Sequence, residues 1–307
     1  MNNGKKLGRS TSSKSVLFLS DMHVGSSYAV CSPEANTGIN GIEMNKYNKE
    51  MYENWCDMRD ALEQRPDILC LNGEPIDGAN TRSGGGGLWS TNPLDQLNDA
   101  ERLIREYSFS EMVMTRGSRY HVTVNNMPHE EILAERMGCV PYSGLFGDAL
   151  NKTADKKLDR TSKYTDFYLW YTLGGKRFSV CHHVGYNRTE LYRTTALARE
   201  MAVMKFAEGK WFPSGGNVDF IVRSHVHYYV QIRFHNQIGF TTPAWKLPDE
   251  YLLRGGLGGT AINIGTIEVI IEPNGKIVVE PHIVEPKNYP KPEEIDFDKI
   301  LMKKYGK

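Results

Sequence analysis

The sequence lacks an excess of either charge: 37 lysines and arginines stand against 37 aspartates and glutamates, and the formal net charge is zero. A protein that mainly coats duplex nucleic acid needs a clear excess of Lys and Arg to neutralise phosphates. That class is therefore disfavoured, although a local basic patch is compatible with the balance. Aromatic residues make up 10% and charged residues 24% of the chain. Both fractions are close to globular averages and disfavour wholesale disorder.

Long apolar runs are also missing from the sequence. No run approaches the roughly 18 to 20 residues needed to span a bilayer, and no hydrophobic segment of a signal peptide is visible near residue 1. The five cysteines include no C-x-x-C pair, and their odd number fits reduced thiols better than a disulfide framework. These absences predict a cytoplasmic protein with no membrane segment.

The 307 residues are enough for one large domain or two ordinary ones. Residues 1–14 are small, polar and basic, which predicts a flexible leader. Residues 15–285 are predicted to form a single domain, with an exposed insertion in the highly charged stretch around residues 140–163. Residues 286–307 contain prolines and mixed charges and predict a C-terminal arm that lies on the surface or is disordered.

Two continuous apolar runs mark the first strands. They cover residues 15–20 (SVLFLS) and 67–72 (DILCLN) and flank a helical stretch at residues 45–64, which predicts a β-α-β unit with parallel strands. The first half of the chain alternates strands and helices, whereas the last hundred residues hold mostly strands, so we expect a layered α/β protein with two sheets. Further strands are predicted at residues 111–115, 167–172, 177–181, 220–222, 228–234, 262–271 and 276–283, and further helices at 93–106, 129–137 and 189–208.

Polar side chains follow several of the predicted strands at the point where each strand ends. The carboxyl ends of parallel strands share one edge of a sheet, where α/β proteins bind ligands. We therefore expect these side chains to meet at one rim of the molecule. The segments are Asp21-Met22-His23, Asn72 to Gly78, Gly117 to His121, His182-His183 and Ser224 to His227.

The residue types in these segments point to a metal. Imidazole and carboxylate together suit Mn, Fe, Zn or Ni far better than a thiolate-preferring site would. In Asp21-x-His23 and in His225-x-His227 the two candidate ligands are two residues apart. That spacing puts them on one face of a strand, or lets both reach the same region just past its end. One such motif occurs often by chance, but this ordered set of clusters predicts a metal centre.

The order of these clusters resembles the calcineurin-like metallophosphoesterase family, whose pattern runs D-x-H, G-D-x-x-D, G-N-H-D/E, a lone H and G-H-x-H. The resemblance spans residues 16–228. The third cluster, the His-His pair and the segment TPAW at residues 242–245 are most similar to the phosphoesterases of phages and prophages, which would place the protein in the host cytoplasm. The resemblance implies a four-layer α/β/β/α metallophosphoesterase sandwich with two mixed β-sheets. It also implies two divalent metal ions, with Mn favoured over Fe, Zn or Ni.

The family pattern, carried over by position, implies a set of metal ligands. Glu74 would take the place of the bridging carboxylate, which is usually Asp. Its extra methylene moves the carboxylate by about a bond length, enough to alter metal spacing or selectivity. The first metal would be held by Asp21, His23 and His227, and the second by His182 and His225.

The same carry-over implies two residues that act beside the metals. His121 is the best match for the catalytic His, which would protonate the leaving oxygen or stabilise charge on the phosphoryl group. Asp77 matches the second acid of G-D-x-x-D and would orient an imidazole. His183 is an alternative to His182 as ligand, because the two differ in register by one residue.

The third cluster departs from the family pattern. It lacks the Asn that ordinarily binds the second metal, and Ser118 occupies the nearest position. The second site is therefore expected to be weaker or labile, or to be completed by another residue such as Asn125 or Asn126. Trp245 has two readings: it stacks on a base or ring of the substrate, or it packs in the core.

The implied function is a metal-dependent phosphoesterase that hydrolyses a phosphate ester by attack of a metal-activated hydroxide. A phosphodiester is preferred over a monoester, on the resemblance and because a leaving nucleoside or alkoxide benefits from a proton donor such as His121. The zero net charge favours a nucleotide or a single-stranded nucleic acid over a long duplex. Consistently, the sequence has no G-x-S-x-G, G-x-x-x-x-G-K-S/T or G-x-G-x-x-G motif. The alternative is a catalytically impaired metal-binding or scaffolding protein that keeps the same fold, which Glu74 and the missing Asn motivate.

Overall fold

The computed structural model describes residues 12–37, 41–81, 84–124, 127–141, 163–206, 217–254, 262–290 and 295–306. The strands are β1 (Lys14–Leu19), β2 (Ile68–Asn72), β3 (Glu111–Thr115), β4 (Thr123–Val124), β5 (Met127–Pro128), β6 (Thr165–Asp166), β7 (Tyr168–Leu173), β8 (Lys176–Cys181), β9 (Phe220–Arg223), β10 (Gln231–Phe234), β11 (Gln237–Thr241), β12 (Ile264–Ile271) and β13 (Ile277–Val284). The helices are α1 (Lys46–Ala61), α2 (Pro93–Arg105), α3 (Arg119–Val122), α4 (His129–Met137), α5 (Arg193–Phe206), α6 (Glu250–Arg254) and α7 (Phe297–Tyr305).

Two mixed sheets form the centre of the fold. Within the described residues, the first sheet has the strand order β13-β12-β1-β2-β3-β6 and the second has the order β10-β11-β9-β8-β7. The pairs β1–β2 and β8–β9 are parallel, whereas β1–β12 and β7–β8 are antiparallel. In each sheet, the parallel neighbours therefore end at the same edge.

The two sheets pack face to face through aromatic and branched side chains. Phe18 of β1 lies between Phe178 of β8 and Phe240 of β11, with ring centroids 6.2 Å and 5.4 Å away. All three side chains are buried in one cluster. Because side chains alternate along a strand, the opposite faces of both sheets must be covered by something else.

Helices cover those outer faces. In α1, Met51, Trp55 and Met58 lie at helical spacing and pack against the outer face of the first sheet. Helices α2 and α4 contribute to the same cluster. Leu197 and Met201 of α5 pack on the outer face of the second sheet. These contacts confirm the predicted four layers, α/β/β/α, with two mixed sheets.

The structure corrects the prediction of one strand and adds four strands: β4, β5, β6 and β11. Residues 228–230 do not continue a ladder: the backbone N–H of Tyr229 bonds to the Asn263 side chain and that of Val230 to the Thr241 side chain. The strand therefore begins at Gln231. Strand β11 was not predicted because Gly239 interrupts its apolar pattern. A Cβ at Gly239 would lie 2.4 Å from Met201 Sδ, so a larger residue would force the Met201 side chain of α5 to move.

The predicted domain limits fall partly on described residues. Of the predicted leader, residues 1–11 lie outside the described residues, and Lys14 already belongs to β1. Most of the predicted insertion, residues 142–162, also lies outside them. The predicted C-terminal arm carries the exposed helix α7. None of the helices in the described part of the chain is long and apolar enough to cross a membrane.

Candidate metal centre

The predicted ligands converge at one rim because they follow strands that end together. Asp21 and His23 come after β1 and Glu74 after β2, which are parallel neighbours in the first sheet. In the second sheet, the corresponding parallel pair is β8 and β9. They are followed by His182, and by His225 and His227.

A buried web of hydrogen bonds joins the two sheets directly beneath these residues. The Thr242 hydroxyl lies 2.6 Å from the hydroxyls of both Ser20 and Ser224. The Asn72 amide donates to the Ser224 hydroxyl at 2.6 Å, and the Thr115 hydroxyl donates to Asn72 Oδ1 at 2.5 Å. Ser20, Asn72 and Ser224 each end or follow a strand just before a predicted ligand segment, so the web sets the relative position of the two halves of the site.

The backbone of the site is left-handed at five predicted ligands. Such φ values are uncommon outside glycine and cost on the order of 1 to 3 kcal/mol each, so they persist only where surrounding contacts impose them. Here, hydrogen bonds between the loops do so: the N–H groups of residues 21 and 23 donate to the carbonyls of residues 73 and 74 at 3.2 and 3.0 Å. The φ values are 48° for Asp21, 47° for His23, 52° for Glu74, 73° for His225 and 57° for His227.

Two glycines allow the loops to approach this closely. A Cβ at Gly73 would lie 2.4 Å from His182 Nδ1, and a Cβ at Gly117 would lie 2.7 Å from the backbone nitrogen of Glu74. Any larger residue at either position would displace a predicted ligand.

The first group of candidate ligands consists of Asp21, His23 and His227, whose ligand atoms lie within 4.8 Å of one another. His227 Nε2 is 3.2 Å from Asp21 Oδ1 and 3.2 Å from His23 Nε2. Asp77 Oδ1 lies 2.7 Å from His23 Nδ1. The carboxylate accepts a hydrogen bond from Nδ1–H, so the neutral ring directs the lone pair of Nε2 toward Asp21 and His227.

The second group consists of Glu74, His182 and His225. His182 Nδ1 donates to the backbone carbonyl of Asn72 at 2.7 Å, which leaves the lone pair of the neutral ring on Nε2. This Nε2 lies 3.2 Å from Glu74 Oε1 and 3.8 Å from Asp21 Oδ1. Asp21 therefore faces both groups, and Glu74 also forms a further potential ligand group with His23 and His121.

Three ligand-type atoms in this cluster are fully buried and make no hydrogen bond of good geometry within the described parts of the chain: Asp21 Oδ1, Glu74 Oε2 and His182 Nε2. Buried polar atoms are nearly always paired, and an unpaired carboxylate oxygen is especially costly. The imidazole nitrogens and carboxylate oxygens face one another at spacings suited to ligands of a shared cation. The residues present therefore fit a centre for divalent metal ions, and their assignment as ligands stays a prediction.

The carboxylates of the cluster also favour positive charge at the site, as the raised pKa values of two histidines show. Burial tends to lower the pKa of His182, but the charge of Asp21 and the contact with Glu74 outweigh it and raise the pKa to about 9. For His23, burial and the charge of Lys246 tend to lower the pKa, but the neighbouring carboxylates of Asp21 and Asp77 outweigh them and raise it to about 8. In the metal-free protein, protons on these two rings supply the cationic charge near pH 7. At His225, burial and the charge of His182 instead lower the pKa to about 4.

Metal binding is therefore expected to compete with protons. The pKa values of His23 and His182 rise from 6.5 to about 8 and about 9, so both rings must release protons to bind a metal. Each displaced proton strengthens apparent Mn²⁺ affinity about tenfold per pH unit up to these pKa values. Titration calorimetry between about pH 6.5 and about pH 8.5, in buffers of different ionisation enthalpy, measures both the affinity and the number of protons released.

The same shifts set the stability of the metal-free protein. A histidine whose folded pKa is raised contributes stability that is present in full below its unfolded pKa of 6.5 and is lost as the pH rises through about 8 to 9. The melting temperature without metal should therefore fall over this window, and added Mn²⁺ should restore it. A Mn²⁺ affinity that does not change with pH would contradict the proton competition.

His121 and Asp77 lie beside the first group. The His121 and His23 rings meet edge to face with centroids 4.8 Å apart, and His121 shares a third potential ligand group with His23 and Glu74. His121 Nδ1 donates to the backbone carbonyl of Asp77 at 2.8 Å. The His121 side chain is 22% exposed, which places one ring edge at the mouth of the site. Burial lowers the pKa of this ring, and the charge of Glu74 opposes the shift.

Ser118, in the position of the missing Asn, contacts the bridging carboxylate. Its backbone N–H donates to Glu74 Oε1 at 2.8 Å, and its hydroxyl donates to the same oxygen. Asn125 and Asn126 lie outside the described residues. His183 is exposed and belongs to none of the ligand groups found among the described residues, although its ring centroid lies 4.8 Å from that of His225.

Sequence reasoning missed three residues around the centre. Glu130 is buried behind the third cluster and accepts from the backbone N–H of Gly117 at 2.7 Å; burial and the charge of Glu74 raise its pKa to about 8. Lys246 is buried and forms ion pairs with Asp77 and Asp249, whose carboxylate oxygens lie 2.9 Å and 2.8 Å from its Nζ. A lysine in the otherwise apolar stretch 243–247 was the available signal.

Trp245 belongs to the core. Its side chain is fully buried and meets Trp55 edge to face at 4.8 Å. Of its two readings, stacking on a substrate is therefore wrong, because the ring is covered by the protein on all sides. Its backbone N–H donates to the carbonyl of Asp21 at 2.9 Å, so the same residue also supports a predicted ligand.

Comparisons with known proteins give no family. No model of a protein family matches the chain, and no curated protein matches it. Vps29 of Cryptosporidium parvum is 10% identical, with a TM-score of 0.40, over 89% of this chain and 98% of its own. A predicted phosphoesterase of Streptococcus pneumoniae is 10% identical, with a TM-score of 0.33, over 90% and 100%. Wild-type Vps29 of Entamoeba histolytica, in complex with Zn²⁺, is 10% identical, with a TM-score of 0.36, over 88% and 98%.

Proposed function

We propose that the protein is a metal-dependent phosphoesterase of the calcineurin-like type. The observation that carries this proposal is a set of three buried ligand-type atoms that make no hydrogen bond among the described residues: Asp21 Oδ1 in the first group, and Glu74 Oε2 and His182 Nε2 in the second. Asp21 Oδ1 lies 3.2 Å from His227 Nε2 and 3.8 Å from His182 Nε2, so it faces both groups, as a carboxylate between two neighbouring divalent ions would. Mn²⁺ suits the mixture of carboxylate and imidazole donors.

Each predicted residue has a proposed role in this centre. Divalent ions bound there would lower the pKa of water and neutralise charge on a phosphoryl group. Asp21, His23 and His227 would hold the first ion, and Glu74, His182 and His225 the second. Ser118 would fix one oxygen of Glu74, which leaves the other oxygen for the ions.

His121 is the proposed contact to the substrate. It combines a partly exposed ring edge with a fixed Nδ1–H, so its Nε2 can face the phosphate ester. Burial keeps this ring neutral in the free protein. The negative charge of a bound phosphate would favour its protonated form, which can then donate a proton to the leaving oxygen.

The proposed substrate is a phosphodiester in a nucleotide or a single-stranded nucleic acid. The leaving group of a phosphodiester is an alkoxide, such as that of a nucleoside. Its departure is easier when a residue such as His121 donates a proton to the leaving oxygen. The zero net charge of the chain gives no long-range attraction for a duplex, so recognition would depend on the local charge of the bound ions.

The test compares two matched histidine variants. Wild-type protein loaded with Mn²⁺ is expected to hydrolyse bis(4-nitrophenyl) phosphate faster than 4-nitrophenyl phosphate. His225→Ala should lower this rate by at least about 100-fold, because it removes a ligand of the second ion. His235→Ala is the control: His235 also has a positive φ but lies exposed in the turn between β10 and β11, and its rate should stay within about twofold of wild type.

Two results would count against the proposal. An absence of hydrolysis with Mn²⁺, Zn²⁺, Fe²⁺ or Ni²⁺, in protein that binds these ions, would favour the scaffolding alternative. Equal rates for His225→Ala and wild type would show that the activity resides elsewhere.

A further inference from the structure

Lys246 is an unusual residue to find beside a candidate metal centre. Its side chain is only 8% exposed, and its Nζ lies 2.9 Å from Asp77 Oδ1 and 2.8 Å from Asp249 Oδ2. A buried ammonium group is costly unless it is paired and hydrogen-bonded. The two carboxylates meet that requirement, so the lysine is held in one place.

The same Asp77 oxygen binds both Lys246 and a predicted metal ligand. Asp77 Oδ1 lies 2.7 Å from His23 Nδ1 and 2.9 Å from the Lys246 Nζ. The carboxylate therefore lies between two donors, and its position depends on both. Its backbone carbonyl also accepts from His121 Nδ1 at 2.8 Å. A shift of Asp77 would therefore move the imidazole rings of both His23 and His121.

The backbone around Lys246 is fixed on both sides. The N–H of Trp245 donates to the carbonyl of Asp21 at 2.9 Å, and the N–H of Leu247 donates to the carbonyl of Tyr28 at 2.8 Å. Lys246 itself forms a bridge with Ala29. The base of the lysine is therefore tied to the loop that carries Asp21 and His23, so its ammonium group approaches Asp77 from a defined direction.

We propose that Lys246 is a positioning residue of the metal centre, which acts through Asp77 to hold the His23 ring with Nδ1–H engaged and Nε2 directed at the first ion. The inference rests on the proposed function only in taking His23 as a metal ligand. Residues that orient a ligating imidazole through its second nitrogen commonly change metal affinity by about 10- to 100-fold when they are removed. Lys246 would act one contact further out than such a residue.

A purely structural lysine would behave differently, and Asp249 separates the two roles. Asp249 binds Lys246 but makes no contact with Asp77 or His23 among the described hydrogen bonds and ion pairs. The Asp249→Asn variant removes one charge partner of Lys246 and leaves the path to His23 intact. A structural role predicts that Lys246→Met and Asp249→Asn have similar consequences, whereas a positioning role predicts that only the first loosens the His23 ring.

The first measurement is the binding of Zn²⁺ to the metal-free full-length protein by competition with a chromophoric chelator. Lys246→Met is expected to weaken the tighter binding step at least about tenfold. Lys246→Arg, which keeps the charge and the donors, should recover part of the loss, and Asp249→Asn should stay within about threefold. If Lys246→Met does not fold, Lys246→Gln replaces it, with the same expected loss.

The second measurement determines the tautomer of the His23 ring. In ¹⁵N-histidine-labelled protein at about pH 9.5, where His23 is neutral, the nitrogen shifts of His23 should show a single Nδ1–H tautomer in wild type and a mixture in Lys246→Met. In an Asp77→Asn background, replacing Lys246 should cause no further loss of Zn²⁺ affinity, because the connecting carboxylate is already gone.

The proposal is overturned if the folded Lys246 variants bind Zn²⁺ as tightly as wild type, if His23 keeps a single tautomer in them, or if the losses from Lys246 and Asp77 are additive. Neither measurement requires turnover. A protein that binds Zn²⁺ through His23 but hydrolyses no phosphate ester would contradict the proposed function while leaving the role of Lys246 intact.

Discussion

Replacing Asp21 with asparagine is expected to lower phosphodiester hydrolysis by at least about 10³-fold and to weaken binding of both ions, because it removes a full negative charge from between them. Asp21 Oδ1 lies 3.2 Å from His227 Nε2 and 3.8 Å from His182 Nε2, so one oxygen faces both ligand groups. Burial tends to raise the pKa of Asp21, but the charges of His182 and His227 outweigh it and hold the carboxyl well below its usual range. The group is therefore ionised throughout the neutral range.

Asparagine is the appropriate replacement at this position. It has the same shape as aspartate, and it tolerates the left-handed backbone at residue 21, where φ is 48°. The fold should survive, so the loss can be assigned to charge. The measurements are the rate with bis(4-nitrophenyl) phosphate and the number of bound Mn²⁺ ions per chain. Asp57→Asn, on the exposed face of α1, should leave both unchanged. An Asp21→Asn protein that keeps two tightly bound ions and its activity would show that this carboxylate is not a shared ligand.

Truncation of Trp245 to alanine is expected to destabilise the protein by about 3 to 5 kcal/mol, the usual range for a fully buried tryptophan. The ring packs against Trp55, and both are fully covered. For a domain of this size, the loss corresponds to roughly 2 to 4 °C of melting temperature per kcal/mol. The melting temperature should therefore fall by about 10 °C, measured without metal so that ion binding does not mask the change.

Two further variants control for this effect. Trp245→Phe keeps much of the apolar volume and should cost clearly less than Trp245→Ala. Phe297→Ala removes an aromatic ring from α7, where Phe297 is 64% exposed, and should change stability by less than about 0.5 kcal/mol. A Trp245→Ala protein as stable as Phe297→Ala would mean that the ring does not pack as described.

The sequence was most informative where physical constraints are local. The apolar runs that became β1 and β2 predicted buried parallel strands, because only a strand covered on both faces carries so few polar residues. Parallel pairing then placed the residues after each strand at a common edge. Asp21, His23 and Glu74 follow these two strands, so the sequence alone predicts that they lie near one another.

The rest depended on contacts between segments far apart in the chain. The left-handed backbone at Asp21 and His225 is imposed by neighbouring loops, and their side chains give no sign of it. The pairing of Lys246 with Asp77 joins residues 169 positions apart, and lysine is ordinarily a surface residue. Glu130 lies in the first turn of α4, where the helix dipole favours acidic residues. That local preference already explains a glutamate at this position, so the sequence provided no reason to expect its buried contact with Gly117.

The hydrogen-bond web formed by Ser20, Asn72, Ser224, Thr242 and Thr115 has a consequence for how the molecule opens. Three of the predicted ligands follow strands of the first sheet and three follow strands of the second. The two sheets therefore cannot separate or slide without pulling the predicted ligands apart. Ions bound there would hold the two sheets together. Because they bind only the folded site, they would stabilise both sheets against unfolding. Partial unfolding of one sheet alone would forfeit that stabilisation entirely. If the centre binds ions as proposed, the two sheets should open as one cooperative unit, and local opening should become rarer as the site fills.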